Sequence, residues 1–368
     1  MTTVNQTTTA NQTATANQAT TANQATTVNQ ATTANQTTTP SRTAATGVAL
    51  EPFAVAGHDG GVVRGVVHRR PEPSPVVVLT AGLGMPMRRM LLPALFLTAN
   101  GFTVVRFDPR NSVGVSDGDI ADFTLTGLAA DLADVAEWAT GHLGADRVAM
   151  FTASLTGRAS LRAAATRPGL FSIAATVACV VSVEQTLTRV KGEDVVAQWR
   201  AGELDDPEAL GDLLDYRIKL NAVRSIIEDD WAGLDSTRRD VRRATGVEFL
   251  NLYGDRDPWV FEEETREVFG TAANSTLIVL RDAVHELNFA TAKTAMQQLV
   301  AHFSTRLRDA PVSPEDAVVP SFDDFTACNK ADRLITAGLA SLSPTTTPTT
   351  DPTTAPTTDL LHETRTGS

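Results

Sequence analysis

Ser154, Asp257 and His285 stand in an order, and at places along the chain, that suit nucleophilic acyl chemistry. Ser154 lies in Thr152-Ala153-Ser154-Leu155-Thr156-Gly157, between a short apolar run and a helix-forming one. A serine there fits a nucleophile elbow, the tight strand-to-helix turn that exposes a hydroxyl. The usual pattern, G-x-S-x-G, uses small residues so that the turn can pass close to neighbouring backbone. Here Thr152 and Thr156 take the flanking positions, and Ser154 also reads as a helix N-cap. Asp257 lies in Gly254-Asp255-Arg256-Asp257-Pro258-Trp259-Val260, where a carboxylate could fix a histidine tautomer and stabilise its imidazolium. Asp255 is the reserve, and the same residues also read as a plain surface turn. His285 lies in Arg281-Asp282-Ala283-Val284-His285-Glu286-Leu287. The histidines at 58, 68, 142, 302 and 362 do not follow a core strand in this way. Each residue alone is ambiguous; the order serine, acid, histidine, each after a strand, is what points to a serine nucleophile with a base and an orienting acid.

Acyl transfer also needs donors for the developing oxyanion. The segment Thr80-Ala81-Gly82-Leu83-Gly84-Met85-Pro86 follows the first strongly apolar run, so the expected pair is the backbone amides of Leu83 and Leu155. Gly82 and Gly84 suggest a dinucleotide loop only superficially, because Met87 stands where the third glycine of G-x-G-x-x-G belongs. There is no P-loop and no dense cluster of metal-ligating residues, so neither a cofactor nor a metal is expected.

Those residues need a scaffold. Short apolar runs, several of them Val-rich and without polar alternation, occur at 76–79, 103–107, 148–151, 176–181, 249–253 and 276–280, as in parallel strands buried on both faces. Helical patterns separate several of them: Leu128, Leu132, Val135 and Trp138 share one face, as do Met296, Leu299, Val300 and Phe303. The expected architecture is α/β, a mostly parallel central sheet with helices on both faces. Ligand sites in such sheets form beyond the carboxyl ends of the strands. Residues 183–246 break the alternation with a helical stretch in which Leu187, Val190, Val195 and Trp199 line one face. This predicts an inserted helical cap, or else ordinary packing helices.

With 368 residues and 42% hydrophobic composition, the chain can bury a substantial core. Composition divides it into a Thr/Asn/Gln repeat over 1–47, the α/β domain over 48–342 and a Thr/Pro-rich stretch over 343–368. The outer two read as disordered tails, because they hold too few large apolar residues to build a core. Asn5 and Asn11 match a glycosylation sequon, but no secretory leader is visible. A net charge of -12 argues against nonspecific nucleic-acid binding, and no apolar run is long enough to cross a bilayer. Cys179 and Cys328 provide no disulfide framework. A cytoplasmic location fits these features.

The stretch TANGFTVVRFDPRNSVGVSDGDIADFTL, the elbow TASLTGR, the segment DPWV, the run Arg88-Arg89-Met90 and PSFDDFTACNKADR resemble the acyl-transferase family of bacterial lux operons, the myristoyl-acyl-carrier-protein-specific thioesterases. The resemblance spans about 48–342. It implies an α/β-hydrolase fold, an elbow with small residues in place of the flanking glycines, and a triad falling on Ser154, Asp257 and His285. It also implies cleavage of a fatty acyl thioester from an acyl carrier protein through an acyl-enzyme. Arg88, Arg89 and Trp199 are candidate substrate contacts. Arg238, Arg239, Arg242 and Arg243 form a basic segment that could dock an acidic carrier or simply be a solvated helix face. Two other readings stay open: a general carboxylester hydrolase with the same triad, and a noncatalytic binding protein using the same pocket.

Overall fold

Valine-rich runs flanked by helices can bury both of their faces only inside a sheet covered on both sides, and that is how the chain folds. The computed structural model describes residues 42–43, 47–202, 206, 208–270 and 272–344. Its sheet contains β1 (Arg42–Thr43), β2 (Ala49–Ala56), β3 (Val62–Arg69), β4 (Val76–Thr80), β5 (Thr103–Asp108), β6 (Val148–Ala153), β7 (Phe171–Val177), β10 (Glu248–Gly254) and β11 (Ser275–Leu280). The spatial order is β1-β2-β3-β5-β4-β6-β7-β10-β11. From β5 to β11 every neighbouring pair is parallel; β1, β2 and β3 join antiparallel at one edge.

Side chains along β4 alternate between two cores. Val76 and Val78 join the layer of α2 (Leu125–Leu143) and α3 (Ser154–Thr166), whereas Val77 and Leu79 join that of α1 (Leu91–Ala99) and α9 (Phe289–Arg308). The α2 face carrying Leu128, Leu132, Val135 and Trp138 is buried, as is the α9 face carrying Met296, Leu299, Val300 and Phe303. Thr124 caps the start of α2 by accepting from Gly127 N–H at 2.9 Å, and Gly144 ends it in the left-handed region. A third, smaller core forms where α10 (Phe322–Leu339) lays Cys328, Ile335 and Leu339 against Leu50, Val66, Met87, Leu91 and Leu95.

Several elements differ from the sequence expectation. Strand β7 ends at Val177 rather than continuing to 181. Ala178 has φ +49, and Val180 N–H donates to Ser154 O at 3.1 Å, so residues 178–181 leave the sheet and pass beneath the elbow. Strands β2 and β3 were not anticipated, because their apolar pattern is broken by Pro52, Gly65, Arg64 and His68. Arg42 and Thr43, assigned to the N-terminal tail by composition, pair antiparallel with Leu50 and Ala49. The rest of both tails lies outside the described residues, apart from 47, 343 and 344.

The stretch 183–246 is not all helix. It contains α4 (Val183–Lys191), α5 (Val195–Arg200), a hairpin of β8 (Leu210–Leu213) and β9 (Tyr216–Lys219), α6 (Leu220–Glu228) and α7 (Leu234–Arg243); α8 (Glu262–Phe269) then follows β10. The hairpin turn, Leu214-Asp215, places both residues at positive φ without glycine or asparagine, so it carries no ordinary turn signature. Among the described residues, no helix is long and apolar enough to cross a membrane.

Candidate active site

The elbow forms because β6 runs into α3 with no intervening loop, which leaves Ser154 at φ +52. A non-glycine residue in that region stores roughly 1–3 kcal/mol of backbone strain, which the surrounding structure must hold. The threonines supply part of that hold. Thr156 donates its hydroxyl to Ala81 O at 2.9 Å, and Thr152 donates to Ser160 Oγ at 3.0 Å; Ser160 in turn donates to Gly157 O at 2.7 Å. The close approach usually made beside a flanking glycine is made at Gly157, where a Cβ would lie 3.0 Å from Cys179 Sγ. The threonine-flanked elbow is therefore a tied turn with its small residue displaced by one position.

His285 bridges the other two residues. Its Nε2 is 2.8 Å from Ser154 Oγ and its Nδ1 is 2.8 Å from Asp257 Oδ2. With a carboxylate as acceptor, Nδ1 carries the proton and Nε2 is left to accept from the serine hydroxyl. Asp257 has its other oxygen filled by Trp259 N–H at 2.9 Å and Val260 N–H at 3.0 Å. These bonds keep the carboxylate fixed although it is only 7% exposed. The alternative acid, Asp255, faces Arg281 at 3.5 Å instead. Trp259 packs its ring against His285, with centroids 4.6 Å apart. Sequence reasoning passed over this tryptophan, whose only signal was its place next to Asp257-Pro258.

The loop after β4 is a β-turn closed by Met85 N–H to Gly82 O at 3.1 Å, with Leu83 and Gly84 at its centre. Gly84 has φ +68, within the positive region a type II turn demands at its third residue. Beyond the turn, Met87 N–H donates to Asp108 Oδ1 at 2.5 Å and Met87 O accepts from Arg106 at 3.0 Å. Burial raises the Asp108 carboxyl above its usual range. Leu155 is the second residue of α3, so its N–H has no acceptor within the helix. The Thr156–Ala81 bond joins the Leu83 loop to the helix carrying Leu155.

The remaining candidates are placed differently. Arg88 is committed to α10: its Nε bonds Asp332 at 3.2 Å and a terminal nitrogen bonds Asn329 at 2.8 Å. Arg89 is exposed, and Trp199 is half-buried against the main core. In the basic segment, Arg238 pairs with Glu267 at 2.9 Å and Arg239 with Asp230. Arg242 and Arg243 close α7 just before β10 begins. Burial pushes the Cys179 thiol up to about 12 and Cys328 up to about 11, which keeps both protonated and inert. Among the described residues, no group of histidines, cysteines and carboxylates could hold a metal.

The segment between β7 and β10 grips the Asp257 loop. Arg189 on α4 donates to Trp259 O at 2.9 Å, pairs with Glu264 and lies 3.8 Å over the Phe261 ring; Thr186 also donates to Trp259 O, at 3.3 Å. Replacing Arg189 by alanine removes bonds made by a charged group and leaves Glu264, 9% exposed, unpaired. The expected result is a loss of about 2 kcal/mol, seen as a lower denaturant midpoint with an unchanged slope. A midpoint equal to wild type would mean that Arg189 contributes nothing to holding this loop.

Sheet order, elbow and carboxyl-end site together define an α/β-hydrolase fold. Two solved structures share it: Est1E from Butyrivibrio proteoclasticus with ferulic acid bound (TM-score 0.53, 18% identity, 72% of this chain and 97% of that one), and an esterase from Pyrococcus furiosus (TM-score 0.53, 14% identity, 70% and 91%). The chain belongs to the acyl transferase family, whose model matches residues 68–337. Relatives include an acyl transferase from Aliivibrio fischeri strain MJ11, 28% identical over 269 residues, covering 72% of this chain and 85% of that protein. Another, from Photobacterium leiognathi, is 27% identical over 271 residues, covering 72% and 86%. The protein is thus an enzyme that transfers or hydrolyses acyl groups.

Proposed function

We propose that the enzyme cleaves an acyl thioester from an acyl carrier protein through an acyl-enzyme on Ser154. The observation that carries this reading is the unbroken hydrogen-bonded chain Asp257–His285–Ser154 at a strained elbow, in a chain of the acyl transferase family. Ser154 Oγ attacks the thioester carbonyl while its proton passes to His285 Nε2. The carbonyl oxygen becomes an oxyanion held by the Leu83 and Leu155 amides. Collapse breaks the C–S bond, and the departing thiolate takes the proton from His285. Water then attacks the acyl-serine, giving one proton to His285; the free acid leaves and Ser154 regains that proton. Asp257 holds the imidazole in the tautomer both half-reactions need.

Likeness to the two ester-related structures favours a second reading, hydrolysis of small carboxylic esters by the same residues. Acyl release from a chain-length series of acyl-carrier-protein thioesters, run beside p-nitrophenyl esters, separates the two. The thioesterase reading expects release with a maximum at one chain length. Turnover of the p-nitrophenyl esters alone would replace it with the esterase reading, and silence on both would reject both substrate classes.

A further inference from the structure

We propose that Tyr216, carried by the β8–β9 hairpin, is a positioning residue for the oxyanion-binding turn. The proposal rests on the acyl-transfer reading of Ser154 and adds a residue outside the triad and its two backbone donors. Tyr216 donates its hydroxyl to Gly84 O at 3.2 Å. Its ring covers the same residue so closely that a Cβ built on Gly84 would lie 1.8 Å from Tyr216 Cζ. Gly84 is therefore fixed twice, by its positive φ and by the ring above it.

The other ties on this loop lie to either side of its centre. Thr156 holds Ala81 O, and Asp108 and Arg106 hold Met87. Between them the Leu83–Gly84 unit carries the amide expected to receive the oxyanion; the Leu83 side chain packs on the main core, and Tyr216 bears on Gly84. Preorganisation sets the strength of such a donor: it must already point to where charge will develop.

The hairpin is built to keep the tyrosine in place. Leu213 and Ile218 on either strand are buried in the main core, and Leu214 packs against it. Lys219 ties the base of the hairpin to Asp122 at 2.9 Å and to Glu208 at 3.0 Å. The two-residue turn holds Leu214 at φ +51 and Asp215 at φ +70, a conformation that bulky side chains rarely adopt. Leu214 keeps that backbone because its side chain is captured by the core. The seat of Tyr216 is thus fixed from below rather than by its own contact with Gly84, as a positioning role requires.

The test uses the full chain and two variants. Tyr216→Phe removes the hydroxyl and keeps the ring; Tyr216→Ala removes both. An alkyl boronic acid reports on the turn directly: Ser154 Oγ adds to boron, its proton passes to His285, and a boron-bound oxygen occupies the oxyanion position. Misplacing a catalytic group by about 1 Å costs on the order of 100-fold. The expected losses in kcat are about 10-fold for phenylalanine and about 100-fold for alanine. KM should stay within about twofold, and boronate affinity should fall in proportion to kcat. A purely structural role would not produce that proportionality, nor the intermediate rank of the phenylalanine variant. A higher KM with unchanged kcat would overturn the proposal, as would unchanged boronate affinity in the phenylalanine variant, whose fold is the safer of the two. Labelling of the wild type by a fluorophosphonate keeps the underlying reading separate: an unlabelled Ser154 rejects the acyl-enzyme itself, and Tyr216 falls with it. A labelled wild type with indifferent variants rejects Tyr216 alone.

Discussion

Replacing Ser154 by alanine is expected to lower kcat on the order of a million-fold while leaving stability within about 0.5 kcal/mol of wild type. The two halves of this expectation have separate causes. The hydroxyl is the atom that forms the proposed acyl-enzyme, and removing the nucleophile of such a unit costs nearly as much as removing the whole unit. The rate expected to survive belongs to the proposed oxyanion donors and to binding, neither of which alanine disturbs. Stability barely changes because the elbow is held by its neighbours, through the Thr156–Ala81 and Thr152–Ser160 bonds and the Val180 N–H on Ser154 O. Alanine inherits the same positive φ and the same strain, losing only one bond to a half-buried histidine. Single-turnover acyl release and a denaturant titration measure the two quantities independently. An alanine variant that retained a tenth of the wild-type rate would move the nucleophile elsewhere.

The parts of this site that sequence makes legible are those whose signal is local. Short, largely apolar runs mark β4, β5, β6, β10 and β11, because burial on both faces leaves little room for polar alternation. Ser154, Asp257 and His285 stand out because each comes just past the end of such a run, and the fold brings their side chains within hydrogen-bond reach. The misread strand has a physical cause: residues 178–181 are as apolar as a strand because they are buried under the elbow, and composition records burial rather than backbone shape. The supporting residues were invisible for the opposite reason. Tyr216 bears on Gly84, and Arg189 on Trp259, across gaps of 132 and 70 residues. No local pattern encodes either contact. Arg88 shows the cost of arguing from proximity in sequence, since it follows the oxyanion turn closely yet spends its guanidinium on α10.

That use of Arg88 belongs to a buried charge network, which leads to the largest expected effect on stability. Asp332 on α10 accepts from both Arg106 and Arg88, and Asp332 and Arg106 have no exposed side-chain surface. Arg106 also donates to His68 Nε2 at 2.7 Å and to Met87 O at 3.0 Å. Burial, reinforced by the Arg106 charge, holds the His68 pKa well below the usual histidine value, so the ring is neutral near pH 7 and offers a lone pair rather than a countercharge. Asp332 is the carboxylate in direct contact with Arg106. Its replacement by alanine leaves a buried guanidinium without that countercharge and should cost about 3–5 kcal/mol, a large share of the roughly 5–15 kcal/mol available to a folded domain. The loss should appear as a lower midpoint in denaturant. Activity should fall with it even where the variant is folded, because Arg106 also fixes the far end of the oxyanion turn through Met87 O. Replacing the buried pair together, Arg106→Met with Asp332→Leu, removes the orphaned charge and should recover most of the stability. It should not recover the activity, since the methionine cannot donate to Met87 O. If the single variant lost less than about 1 kcal/mol, the pair would be no more than a surface-like ion pair.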